Sequence, residues 1–189
     1  MSYLKKIEYE MIQKESFFVI RNCSKCGTKT HFKNTKKFRV NANGNKLDVW
    51  LIYQCEQCKH TFNIAIYERQ KISTIQKDEY KRFLDNDEQL AEFYGKMTQL
   101  FQKNKAVIDF NRLHYDFVKL RETIELSDCN ERTLLQIHNS YELKIRPEKQ
   151  IAAVLGLSKS QVQKRIQLGE IELINVTSQC VSAYVSTGI

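Results

Sequence analysis

Long apolar runs are missing from this 189-residue chain. None approaches the roughly 18 residues that a membrane-spanning helix needs. The first twenty residues also lack the unbroken apolar stretch of a secretory signal, because Lys5, Lys6, Glu8, Glu10, Lys14 and Glu15 interrupt it. The expected location is cytoplasmic. Sequence marks of catalysis are missing too: there is no phosphate-binding loop, paired-carboxylate motif or nucleophilic triad. His114 and His138 have no Ser, Cys or carboxylate partner at a recognisable spacing. The chain is expected not to be an enzyme. The last absence is local: residues 16–47 hold eight Lys or Arg and no acid.

The remaining composition, 42% hydrophobic and 28% charged, suits a folded chain rather than a disordered one. The net charge of +8 is uneven. Residues 1–69 carry 13 cations against 6 acids, residues 70–143 carry 11 against 13, and residues 144–189 carry 6 against 3. A basic stretch free of acids suits a polyanionic partner.

Six cysteines in a reducing compartment point to metal before disulfides. Four fall in two pairs, Cys23-Ser-Lys-Cys26-Gly27 and Cys55-Glu-Gln-Cys58, with 28 residues between them. Two residues between cysteines let the chain turn back so that both sulfurs reach one ion, and Gly27 tolerates the left-handed backbone of that turn. Two such knuckles complete a tetrahedral site of four thiolates with no open position for substrate, so the ion is structural. Zn²⁺ held by Cys23, Cys26, Cys55 and Cys58 is the expected cofactor. Iron is the alternative, since rubredoxins also use four cysteines, although Lys59 stands where rubredoxins place a glycine. Cys129 and Cys180 stand apart and read as small apolar residues. His31 and His60 lie near the cysteines and are expected to be bystanders.

Between the knuckles, Phe38–Asn41 and Leu47–Tyr53 read as strands around Asn43-Gly44, a hairpin signal, with a further strand over Phe62–Tyr67. Residues 72–104 read as helical. Asp85-Asn86-Asp87-Glu88 opens one helix, and Leu90, Phe93, Tyr94, Met97, Leu100 and Phe101 form an apolar stripe expected to be core. Leu113, Tyr115 and Phe117 alternate as in a strand. Leu134–Ile137 and Tyr141–Ile145 read as a hairpin.

Near the C-terminus, Pro147 opens a helix to Leu155, Gly156 ends it, and Ser158 caps a second helix over 159–168 before Gly169. Ile151, Val154, Leu155, Val162 and Ile166 supply an apolar seam. Lys149, Ser158, Lys159, Lys164 and Arg165 are the candidate nucleic-acid contacts, joined by the basic segment from Lys29 to Arg39. The run from Leu157-Ser158-Lys159-Ser160 to Gly169-Glu170-Ile171-Glu172-Leu173 resembles the S4 RNA-binding domain, with Lys159 where that family usually has Arg. The spacing of Ala152, Gly156 and Val162 also resembles a DNA-reading helix-turn-helix.

The chain as a whole resembles a bacterial family known as domain of unknown function 1062. The residues that carry the likeness are Cys23-x-x-Cys26-Gly27, Lys37-Phe38-Arg39-Val40-Asn41-Ala42-Asn43-Gly44, Leu47–Tyr53, Cys55-x-x-Cys58, Phe62-Asn63, Glu68-Arg69 and Asn86-Asp87-Glu88. That resemblance implies a bacterial cytosolic origin and carries no activity with it.

The expected architecture is α+β, in three consecutive segments. These are a zinc ribbon over 1–70, a helical middle with short strands over 71–143, and a helix-turn-helix or S4-like unit over 144–189. The expected function is non-enzymatic nucleic-acid binding, with RNA favoured slightly over DNA. A protein-interaction adaptor and a rubredoxin-like electron carrier are the alternatives.

Overall fold

The structure, a computed structural model, describes residues 2–127 and 132–186. It divides into two units, one of residues 1–12 with 115–189 and the other of residues 13–114. Of the expected middle segment, residues 71–114 lie in the second unit and 115–143 in the first.

Residues 13–114 form a five-stranded sheet in the order β5-β4-β3-β2-β6. The strands are β2 (Val19–Asn22), β3 (Lys29–Asn43), β4 (Lys46–Cys55), β5 (Thr61–Lys71) and the short β6 (Val107–Ile108). The hairpin between β3 and β4 pairs Asn43 with Lys46. Gly44 takes the first turn position with φ +60°, as a two-residue hairpin loop with glycine first requires. Alternation along β4 sends Leu47, Val49, Leu51, Tyr53 and Cys55 inward, each fully buried.

Three short helices accompany this sheet: α1 (Lys77–Leu84), α2 (Glu88–Gly95) and α3 (Thr98–Lys103). Asp87 caps α2, its side chain accepting from the Leu90 amide at 2.8 Å. Phe83 packs edge-on to Phe38 at 4.9 Å between centroids and stacks on Tyr94 at 5.7 Å, while Phe101 meets Tyr53 at 5.8 Å and Phe17 at 5.3 Å. The expected stripe is split. Leu90, Tyr94, Leu100 and Phe101 are core, but the helix breaks after Gly95 and Phe93 stays 54% exposed. Gly95, the last residue of α2, lets the chain pass close to its neighbours: a Cβ at that position would sit 2.2 Å from Ser16 Oγ and 2.7 Å from Asn34 Nδ2.

Residues 1–12 and 115–189 form the second five-stranded sheet, in the order β7-β1-β8-β10-β9. Its strands are β1 (Ser2–Gln13), β7 (Tyr115–Ser127), β8 (Arg132–His138), β9 (Ile171–Val176) and β10 (Cys180–Ser186). β1 runs parallel to β8, with Ile7 beside Leu135 and Tyr9 beside Ile137. β10 is antiparallel to both β8 and β9. Helices α4 (Pro147–Leu155) and α5 (Lys159–Gln167) bury Ile151, Ala152 and Val162 in one cluster with Leu135, Ile137, Ile171, Val181, Ala183 and Val185.

The α+β expectation is therefore corrected. Close to half of the residues lie in strands and about a quarter in helices, in two sheets that include a curled half-barrel. A helical middle does not describe the chain, because β7 and β8 take up residues 115–138 around the undescribed 128–131. The C-terminal helices form at the expected residues, with Gly156 at φ +67° and Ser158 in a reciprocal capping box with Gln161. They make neither a helix-turn-helix nor an S4-like unit. Their apolar seam is consumed against a sheet whose strands come from both ends of the chain, so the pair is a covering layer. The hairpin expected over Leu134–Ile145 also fails. β8 pairs with β1 and β10 instead, while Asn139 turns the following chain by donating to Leu143 O and Ser178 O and accepting from the Leu143 amide.

Candidate metal centre

The two Cys-x-x-Cys turns stand at neighbouring strand ends because β3 pairs with β4, setting Phe32 opposite Cys55. In each turn the amide four residues on closes back on the first cysteine. Gly27 N donates to Cys23 O at 2.9 Å, and Lys59 N donates to Cys55 O at 3.1 Å. Both closing residues are left-handed, Gly27 at φ +69° and Lys59 at φ +64°. The second knuckle therefore adopts the glycine conformation with a lysine, at some backbone cost.

The four sulfurs lie within 4.8 Å of one another. Cys23 Sγ is 3.4 Å from Cys58 Sγ, and Cys26 Sγ is 3.9 Å from Cys55 Sγ. A tetrahedral ion with metal–sulfur bonds of about 2.3 Å needs sulfur–sulfur edges of about 3.8 Å, so the cluster fits one metal ion. Cys23 and Cys55 are buried and Cys26 and Cys58 half-buried. The fit is supported by the protonation pattern. Burial pushes the Cys55 thiol up, yet the Cys58 amide, the Thr30 hydroxyl and the Gln57 amide outweigh it and hold the group down at about 6. Cys23 is likewise lowered against its burial by the Cys26 amide and by Cys58. Cys26 is pushed up to about 12, first by its hydrogen bond with Cys58, then by burial and by Cys23. A bound cation would favour the thiolate form that metal ligation requires.

Residues around the cluster hold it without touching its centre. Buried Thr30 places Oγ1 3.3 Å from Cys55 Sγ. Its role is invisible in sequence; the only hint is its place three residues after Gly27 of the first knuckle. His60 Nε2 lies 3.0 Å from Ser24 Oγ and links the two knuckles. His31 Nε2 lies 3.0 Å from Asp109 Oδ2, so this imidazole is engaged with a buried carboxylate. Glu56 takes a two-pronged contact from Arg112 at 2.6 and 3.3 Å, and that guanidinium stacks on Phe18 at 3.9 Å. The same contact lowers the Glu56 carboxyl below its ordinary value.

Beside the cluster the acid-free stretch becomes a surface. The Arg21 guanidinium lies 3.7 Å over the Phe62 ring and 5.7 Å from Phe32. On one side is a cleft of about 490 Å³ with Lys29 and Lys105 on its walls, and on the other a smaller one of about 280 Å³ that reaches His60. A third, of about 550 Å³, takes Lys33, Lys36 and Lys37. No acid lines any of the three. Lys36 is nevertheless paired to Glu88 and Glu92, at 3.2 and 2.8 Å, so its charge is partly answered.

The C-terminal candidates divide. Lys149, Lys159 and Lys164 are exposed, and the Lys149 ammonium lies 5.8 Å from the Tyr115 ring. Ser158 is exposed, but its hydroxyl accepts from the Gln161 amide at 3.2 Å and is occupied in capping α5. Arg165 is drawn inward. Its Nε sits 3.9 Å from a Glu170 carboxylate oxygen and one terminal nitrogen is buried, so it is not an outward-facing cation. Cys180 lies in β10 of the other unit, and Cys129 lies outside the described residues. Among the described residues no helix is long and apolar enough to cross a membrane.

A family model described as protein of unknown function (DUF1062) matches residues 40–176. The matched span includes Cys55 and Cys58 and begins after Cys23 and Cys26. No curated protein matches the chain. No solved structure matches it either.

Proposed function

The chain belongs to the DUF1062 family, and from its geometry we propose that it is a non-enzymatic nucleic-acid-binding protein whose 13–114 unit is held by one structural Zn²⁺. Zinc supplies no reaction here. It ties two strand ends together and leaves no coordination position open once four thiolates are bound. Iron would fit the same donor set, and the colour of the purified protein separates the two, since ferric thiolate sites are red.

The observation that carries the binding reading is the acid-free face next to the cysteines, where Arg21 stacks on Phe62 between two clefts and Lys29 and Lys105 stand at the rim. Cations that follow a backbone, together with an aromatic ring and a guanidinium plane that accept base stacking, are what unpaired nucleic acid uses. Such pairing favours RNA with single-stranded segments over duplex DNA, whose bases are already stacked. Lys149, Lys159 and Lys164 add a second cationic surface on the other unit, suited to phosphates alone.

The test is a titration of labelled single-stranded RNA, hairpin RNA and duplex DNA at two salt concentrations. The expected result is preference for single-stranded RNA, with affinity falling steeply as salt rises. Replacing Lys29 and Lys105 together by Ala should weaken binding and flatten the log–log salt slope by roughly 0.7 for each phosphate left without its cation. The Lys149/Lys159/Lys164 triple Ala variant should do the same to a smaller degree. Absence of binding to all three probes at low salt would remove this reading and leave the adaptor.

A further inference from the structure

β7 lies at the outer edge of its sheet, with β1 on one side and no described strand on the other. Thirteen residues of extended chain therefore offer a row of backbone donors and acceptors to whatever arrives. Natural edge strands are usually blunted by proline, by shortness, by a cover or by charged side chains, and of these β7 has only the charges of Lys119, Arg121, Glu122 and Glu125. β7 has no proline, and while Phe117 packs on the core cluster, the large apolar side chains of the opposite face stay exposed. Val118, Leu120, Ile124 and Leu126 are 44, 55, 66 and 69% exposed, at alternate positions along the strand. Four large apolar side chains in one row, on an open edge, form a patch that water does not favour.

The sequence of β7 says what fits there. Turned end for end about Glu122, the strand matches itself. Leu120 falls opposite Ile124, Val118 opposite Leu126, and Lys119 opposite Glu125, each twice by symmetry. Moving the centre by one residue weakens the match. Centred on Arg121, that guanidinium faces its own copy and Lys119 faces Thr123. Centred on Thr123, Arg121 meets Glu125 and Leu120 meets Leu126, but Glu122 is set against Ile124 and Lys119 against Ser127, so one apolar pair is lost and an acid faces an apolar side chain. A parallel, in-register arrangement sets Lys119 against Lys119 and Glu125 against Glu125. The chosen centre brings Glu122 opposite its own copy, but each Glu122 carboxylate is held by Lys5 of its own chain, at 2.7 Å, which stays in place when Lys119 turns from Glu122 to Glu125 of the second copy. The two acids therefore meet between two Lys5 ammonium groups.

We propose that β7 pairs antiparallel with β7 of a second copy of this chain, about a two-fold axis through Glu122, joining the two sheets into one. The contact is isologous and closes at two copies, because each edge is used up by the other. Backbone hydrogen bonds supply the pairing, the apolar row supplies burial, and the Lys119–Glu125 pairs set the register. This inference is independent of the nucleic-acid reading, since it concerns the other unit and a protein partner.

Sedimentation equilibrium of the full zinc-loaded chain, freed of nucleic acid, tests it. The wild type is expected to be a dimer. Lys119→Glu and Glu125→Lys each place like charges opposite one another and should weaken dimerisation roughly tenfold. An equal mixture of the two variants should recover the dimer, because each then meets the opposite charge on the other. Both positions are exposed, and circular dichroism checks that each variant is folded before mixing. A wild type that stays monomeric at the highest attainable concentration overturns the proposal. So do single variants as dimeric as the wild type, or a mixture of folded variants that remains monomeric.

Discussion

Residues 13–114 build their sheet chiefly from strands that follow one another, β2 to β3 to β4 to β5, whereas the other unit must bring β1 from the N-terminus to lie between β7 and β8. In the first, a two-residue hairpin and two cysteine knuckles fix the register locally, and one ion can lock the strand ends. In the second, nothing covalent or metallic helps among the described residues. Leu135, Ile137, Val181 and their neighbours must find a helix pair and a strand distant in sequence, at the loop-closure cost of non-local pairing. With an ion bound as proposed, one unit is stapled and the other packed, and that difference sets how each should fail.

The largest expected effect strikes the stapled unit. On the proposed zinc reading, Cys55→Ser removes one of four ligands, and zinc binding supplies folding free energy of roughly 10–16 kcal/mol in comparable zinc peptides. Bound zinc should be lost and residues 13–114 should unfold. The sole tryptophan, Trp50 in β4, reports that unit alone, so its emission should shift to the red while methyl resonances of Ile137 and Val181 keep their native positions. Collapse of both sets of signals would show that the two units are not separate in stability.

The converse change is Ile137→Ala. Ile137 is fully buried between Tyr9 and Val181, and its truncation should cost roughly 2–5 kcal/mol. Zinc content and Trp50 emission should not change. A smaller effect returns to the stapled unit with Gly95→Ala, whose Cβ would meet Ser16 and Asn34. The expected cost is roughly 1–3 kcal/mol, read as a lower midpoint of the Trp50 transition in urea. An unchanged midpoint would mean that Ser16 swings away freely and that the close approach at Gly95 is not required.

The smallest effect is on acid stability of the packed unit. Lys6 and then Arg121 hold the Glu8 carboxyl at about 2 by hydrogen bonding, and Lys119 with Lys5 hold Glu122 at about 2. Both values are depressed from 4.5, so the stability they contribute is present above pH 4.5 and is lost as pH falls towards 2. Glu8→Gln should flatten that part of the acid transition at low salt and do little at high salt, since these pairs meet solvent. An acid transition identical to that of the wild type at low salt would show that Glu8 contributes nothing there.

Legibility in the sequence follows the same division. The clustering of the four cysteines, the Gly44 hairpin, the Asp87 cap and the Pro147–Gly156–Ser158 punctuation are readable because each is a local signal of turn or cap chemistry. β1 is not readable. Its residues Lys5 to Glu10 alternate only weakly, and their partner strand, β8, lies more than a hundred residues away along the chain. The hairpin expected at His138 fails for the same reason: β8 has better partners elsewhere, and Asn139 spends its side chain on turning the chain away. Lys164 and Arg165 look alike in sequence, and only packing separates an exposed lysine from an arginine drawn toward Glu170. Thr30 at the metal centre and Arg21 on Phe62 depend on strand register, which no spacing rule supplies.

The central claim is the staple itself, and metal and thiol stoichiometry on the purified chain test it most directly. The expected result is one zinc per chain, and four thiols that resist alkylation until a chelator removes the ion, becoming reactive in step with its release. No bound metal, or a full equivalent of metal retained by Cys55→Ser, would contradict it; iron in place of zinc would keep the staple and overturn the choice of ion.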